Sequence, residues 1–295
     1  MIGRDFSYNG IWLSQFGMSM YAPEEVQRFV SREIIKSELS PIKSEPRYYS
    51  TQYSETLILH FLILKNEELC NAQSDYYIKE DELHALRSWL EGADKPRELY
   101  LNSENNQNNT YYYGIFTDVQ PYLLNEECYG LSLTFTCNAP YGFSPLFTKS
   151  VCPYGLDGEY EVVFDNQSSE KHKMLNPIIT INSSATFLGN EEIMITNNSI
   201  KNCPLFNISL PYGRSSVVID CGKKIVTDES GVIIPLCDIG IRFSQANNYL
   251  STEHMVIPWP KLKYGQNNIA VSVSNAEMID NIQFSVKFPI KSGGF

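Results

Sequence analysis

Residues 80–141 read EDELHALRSWLEGADKPRELYLNSENNQNNTYYYGIFTDVQPYLLNEECYGLSLTFTCNAPY, and the order of patterns inside this stretch decides the fold. Glu80, Asp81 and Glu82 put negative charge at the positive end of a helix dipole. Leu83, Leu86, Trp89 and Leu90 then fall on one face, which predicts a helix over 79–91. Gly92 stands where a left-handed helix end is usually accommodated, and Pro96 keeps the helix from restarting. A short strand is expected at 97–101, a polar loop at 102–109, and a hairpin of longer strands at 111–120 and 127–137. Leu131, Leu133, Phe135 and Cys137 alternate with Ser132, Thr134 and Thr136, the pattern of an antiparallel strand with one face buried.

Working outward, Asn9-Gly10 is a strong tight-turn signal between Phe6-Ser-Tyr8 and Ile11-Trp-Leu13, so the chain opens on a β-hairpin. Residues 31–54 are polar, with Pro41 and Pro46 blocking a long helix. Residues 56–64, Thr-Leu-Ile-Leu-His-Phe-Leu-Ile-Leu, are nearly all apolar and suit a strand covered on both faces. Pro145 and Pro153 mark 144–154 as a hinge between an N-terminal domain, 1–145, and a C-terminal domain, 146–295. Beyond residue 150 helical patterns vanish. Short alternating runs follow at 161–164, 178–181, 192–195, 205–210, 216–220, 231–235, 269–273 and 281–288, which indicates a β-sandwich or jelly-roll. Residues 292–295 read as a frayed tail.

With 295 residues, about two domains are expected, and 13% aromatic content leans towards β structure. A formal charge of −11 argues against a nucleic-acid surface, which needs clustered Lys and Arg. No run approaches the ~20 apolar residues of a membrane span, and the N-terminus lacks the apolar core of a signal peptide. Synthesis in a reducing cytoplasm is therefore expected. Seven cysteines at 70, 128, 137, 152, 203, 221 and 237 are scattered without a Cys-x-x-Cys pair. Most read as small core fillers rather than metal ligands. His60, His84, His172 and His254 lack Cys or carboxylate partners at ligand spacing. No Gly-x-Ser-x-Gly elbow or phosphate loop occurs. The neighbouring carboxylates Glu67-Glu68, Glu126-Glu127 and Glu191-Glu192 read as solvated loop charges. The expectation is a non-enzyme with no catalytic, cofactor-binding or metal-binding residues and no cofactor.

Several segments, taken in order, carry a resemblance. Phe6-Ser-Tyr-Asn-Gly10, Arg87-Ser-Trp89-Leu90 and Thr134-Phe-Thr-Cys-Asn-Ala-Pro-Tyr141 lie in the N-terminal half. Asn176-Pro-Ile-Ile-Thr-Ile181, Val218-Ile-Asp220 leading to Gly231, and Pro258-Trp-Pro-Lys-Leu262 before Gly265-Gln-Asn-Asn268 lie in the C-terminal half. Together they resemble the siphophage distal tail protein (Dit) family. The resemblance implies a mainly β protein: an N-terminal β-sandwich-like ring domain with one α-helix, then a C-terminal galectin-like or jelly-roll β-sandwich. It implies a homohexameric ring, single or stacked, at the tail tip of a siphophage or prophage-derived virion. The implied partners are the tail tube protein, the tape measure protein, and a tail-associated lysin, fibre or receptor-binding protein. The family's Gly-Arg-Asp-Gly-like turn is absent near 36–53. Pro41-Ile-Lys-Ser-Glu-Pro46 occurs in its place, and a ring needs a hairpin that reaches over a neighbour, so residues of about 36–55 are expected to form an inter-subunit arm. The alternative is a lectin-like baseplate module in which Trp259, Tyr212, Tyr249 and Tyr264 stack on sugar rings.

Overall fold

The computed structural model describes residues 5–21, 30, 32–36, 48–53, 55–102, 109–154, 157–236, 242–243 and 257–290. The chain forms two compact units, Met1–Pro145 with Pro289–Phe295, and Leu146–Phe288. Both are mainly antiparallel β.

The first unit opens with β1 (Asp5–Tyr8) and β2 (Ile11–Trp12), joined through Asn9 and Gly10, both at positive φ. This is the expected hairpin. β3 (Met18–Tyr21) follows a short 3₁₀ turn, and β4 (Arg32–Lys36) pairs with β5 (Tyr48–Tyr53). Then come β6 (Ile58–Lys65), α1 (Glu80–Glu91), β7 (Arg97–Asn102), β8 (Tyr111–Leu124), β9 (Glu127–Cys137) and β10 (Gly142–Phe143). The main sheet runs β2-β1-β7-β8-β9-β6-β3. Leu131, Leu133, Phe135 and Cys137 are buried as their alternation requires.

Helix α1 closes this core. Leu86 and Leu90 are buried, with Leu83 and Trp89 packed beside them. The Trp89 indole stacks on Phe6 at 5.7 Å between ring centroids and on Phe16 at 4.7 Å, and donates a hydrogen bond to the Tyr8 carbonyl oxygen at 3.3 Å. At the N-terminus, the Glu82 carboxylate accepts from the Lys79 N–H at 2.9 Å, satisfying one donor the helix leaves over. The C-terminal end departs from expectation, because Gly92 has φ −73°, not a left-handed conformation. A Cβ there would lie 2.5 Å from the Ser88 carbonyl oxygen, so close approach requires the glycine.

Strand β6 also differs. Leu59, Phe61 and Ile63 are buried, but His60 and Leu62 on the other face are only half-buried and Ile58 is exposed. The apolar run covers one face, not both, within a single chain.

The second unit is a sandwich of two five-stranded sheets. One contains β11 (Phe147–Val151), β13 (Ile178–Asn182), β16 (Ser216–Asp220), β17 (Ile225–Asp228) and β20 (Asn281–Val286). The other contains β12 (Asp157–Asn166), β14 (Glu192–Asn197), β15 (Phe206–Ser209), β18 (Arg242–Phe243) and β19 (Gly265–Ser274). Their inner faces share one core that includes Phe164, Ile179, Phe206, Val271 and Phe284. The mainly β fold, with one α-helix among the described residues and a C-terminal sandwich, is the expected class.

Two local expectations are corrected. Within the supposed hinge, Phe147–Val151 is a strand paired along its whole length with β20, and Phe147 packs edge-on against Phe164 at 4.9 Å. The run 231–235 is not a strand and makes a single bridge, Thr227 to Ile233. Asp228 causes this by accepting N–H bonds from Ser230 and Val232, each at 2.9 Å, which turns the chain back. The last strand, β21 (Pro289–Ile290), pairs with β10 in the first unit. Residues 292–295 and the middle of the expected arm, 37–47, lie outside the described residues.

Candidate functional site

The polar side chains singled out in the sequence do not converge. Among the described residues no group of three or more His, Cys, Asp or Glu could hold a metal ion. His60 Nδ1 lies 3.2 Å from Thr134 Oγ1 across neighbouring strands. His84 is exposed on α1, His172 is exposed in a turn, and His254 lies outside the described residues. Of the six described cysteines only Cys137 and Cys221 are buried, so the core-filler reading holds for two and not for most. No described helix is long and apolar enough to cross a membrane.

Glu191 corrects the reading of solvated carboxylate pairs. It is wholly buried, and its two oxygens accept the N–H groups of Leu188, Gly189 and Asn190 at 2.8, 2.9 and 3.1 Å. The charge is compensated by three backbone dipoles pointing at it. This makes it a loop anchor. The sequence signal was the Leu-Gly-Asn-Glu turn, whose donors need an acceptor.

The aromatic candidates for sugar stacking separate. Trp259 is buried and packs on Phe206 at 5.7 Å, leaving no ring face for a ligand. Tyr264 is exposed but has the Lys171 ammonium over its ring at 5.3 Å. Tyr212 is exposed, and Tyr249 lies outside the described residues.

Among the exposed apolar side chains of the described residues, which also include Leu69, Tyr212, Val232 and Ile233, two groups of the first unit sit on two-stranded elements. In the β4–β5 ribbon, Ile34 is 53% exposed and Tyr49 63%, with Ile35 exposed beside them. A free two-stranded ribbon is marginal in water. At the tip of the β8–β9 hairpin, every residue from Gln120 to Glu127 is exposed, including Tyr122, Leu123 (57%) and Leu124. Asn125 and Glu126 turn the tip with positive φ. The segment 117–129 carries Asp118, Glu126 and Glu127 and no Lys or Arg. The ribbon coincides with the start and end of the arm expected from the sequence. The hairpin tip was missed, although the consecutive apolar run Pro121-Tyr-Leu-Leu124 beside an Asn-Glu turn was its visible signal.

A two-unit, mainly antiparallel β protein with exposed apolar side chains on two of its hairpins is the class that fold and surface define together. Residues 1–139 match the family of phage tail protein N-terminal domains. No curated protein matches the chain in sequence. Among solved structures the chain is similar to the Dit protein of phage SPP1, with TM-score 0.59, 14% identity, and coverage of 97% of this chain and 99% of that one. It is also similar to a chain of the phage P2 baseplate in its activated conformation with Ca, with TM-score 0.54, 7% identity, and coverage of 99% and 100%. The N-terminal residues thus match a family of phage tail protein N-terminal domains, and the chain as a whole has the distal tail (Dit) fold. The resemblance read from the sequence is borne out.

Proposed function

We propose that this chain is the structural hub of a phage tail: a homohexameric ring that joins the tail tube to the adsorption apparatus at the tail tip. The observation that carries this reading is the extent of the likeness. It runs over 97% of the chain to a protein described as a paradigm of the hub adsorption apparatus in phages infecting Gram-positive hosts. The exposed apolar ribbon and hairpin tip support it, because a monomer leaves them in water while a ring covers them. The role is positional and non-enzymatic. The ring passes the symmetry of the tube to the tail tip and leaves a central channel. Its neighbours in this reading are the tail tube protein and tape measure protein on one side. On the other side stands a lysin, fibre or receptor-binding protein.

Light scattering on the size-exclusion peak, with negative-stain images of the same fraction, tests the reading. Open rings of about six times the 33.7 kDa chain mass are expected. Removing residues 36–55 should leave a folded monomer. Rings that survive this deletion would show that the arm does not hold them.

A further inference from the structure

We propose that the tip of the β8–β9 hairpin, Pro121-Tyr-Leu-Leu124, is an insertion element that docks on the β4–β5 ribbon of a second copy of this chain. The inference rests on the ring reading above and names the two patches that meet.

Leu123 and Leu124 are adjacent on a strand and therefore point to opposite faces, yet both are exposed. A flat partner surface would cover only one of them. A ribbon that is apolar on both faces is made to be covered on both, as strands inside a layered core are. The hairpin also projects beyond its sheet. β7 pairs with β8 only as far as Gly114, and β6 pairs with β9 only as far as Gly130, so the tip has no strand neighbour among the described residues. Pro121 removes a backbone donor near the tip, so side chains rather than a continued ladder must hold it.

The same chain carries a counterpart of the same character. Ile34 and Ile35 are likewise adjacent, likewise on opposite faces, and likewise exposed, with Tyr49 on the paired strand. No third strand joins this ribbon among the described residues. Charge favours the match over the alternatives. The tip is purely acidic, so two tips would repel each other. The ribbon sequence Arg32-Glu-Ile-Ile-Lys36 carries two cations and one anion, and its partner strand Tyr48–Tyr53 carries no charge, so the ribbon is net positive where the tip is negative. Tip and ribbon are different patches, and a head-to-tail contact between different patches is the kind that closes a ring.

The test uses the full chain. The double variant L123E/L124E should run as a single 33.7 kDa species, with the circular dichroism and thermal transition of the wild type, under conditions where the wild type forms rings. A photo-crosslinker at Tyr122, in mixed ¹⁴N and ¹⁵N copies, should give inter-chain adducts that map to Arg32–Lys36 or Tyr48–Tyr53. If the double variant misfolds, the crosslink alone decides. Rings of wild-type mass from a folded double variant would overturn the proposal, as would inter-chain adducts confined to other segments. A wild type that is monomeric at every concentration would overturn the ring reading itself. That outcome is recognisable because variant and wild type would then run alike.

Discussion

Tyr112 and Cys137 lie on neighbouring strands, β8 and β9, with both side chains buried in the core of the first unit. Withdrawal from water favours the neutral form of each and pushes both up to about 12, from ordinary values of 10.0 and 9.0. Burial raises Cys221 in the second unit in the same way, and Tyr113 is raised by burial and by its hydrogen bond to the Glu98 carboxylate. All four ionise more readily in the unfolded chain than in the folded one. Their contribution to stability is therefore complete below pH about 9, and is lost as the pH rises from there towards 12. The urea midpoint, followed by Trp fluorescence, should be level between pH 7 and 8.5 and then fall steadily. Replacing Cys137 and Cys221 by Ala should flatten that fall. A midpoint unchanged up to pH 11 would refute the argument.

At the scale of elements, the segment Pro258-Trp-Pro-Lys-Leu-Lys-Tyr264 shows how a stretch outside the named strands is fixed. Three buried asparagines on three different strands hold it. Asn166 donates to the Lys263 carbonyl at 3.0 Å and Asn197 to that of Lys261 at 2.9 Å. Asn267 donates to Lys263 and Gly265 at 2.9 and 2.7 Å, and accepts from the Lys263 N–H at 2.9 Å and from Asn197 at 2.8 Å. Asn267→Ala leaves several of these buried groups without a partner, at a cost of about 1–3 kcal/mol for each one orphaned. A loss of at least about 2 kcal/mol is therefore expected in denaturant titration. Gln266→Ala, on an exposed neighbour, should stay within about 0.5 kcal/mol. Equal effects from the two would sink the account. This scale also marks the limit of what could be read beforehand. Helix α1 and strand β9 were legible because their apolar periods are unbroken over two or more turns of the pattern. β11, with Lys149 and Ser150 among its five residues, and β17, with only four, carry too few alternating positions to stand out from loops. The apolar run 231–235 imitates a strand, but Asp228 turns it back through hydrogen bonds that no hydrophobic period records. Glu191 was misread for the same reason: a carboxylate that caps backbone amides looks, in sequence, like one in water. The apolar tip and ribbon were visible as residues. Their exposure was not, because it depends on where neighbouring strands end.

At the scale of the whole molecule, the path of the chain inserts one unit into the sequence of the other. The chain leaves the first unit after β10 and comes back to it at β21, where Phe143 stands opposite Pro289. The second unit, Leu146–Phe288, is therefore an insertion between two paired strands and carries a core of its own. Both apolar projections, the β4–β5 ribbon and the β8–β9 tip, belong to the first unit. Excising 146–288 and joining Pro145 to Pro289 through Gly-Gly leaves a four-residue loop between paired strands, a length that antiparallel hairpins accept. If ring formation resides in the first unit, this shortened chain should still give open rings of the same subunit number, with mass reduced in proportion to the excised residues. Removing the second unit should then abolish only contacts made outside the ring. A shortened chain that is folded but monomeric would move the decisive interface to the sandwich. In that case the exposed ribbon and tip would have to be explained by a partner other than a second copy of this chain.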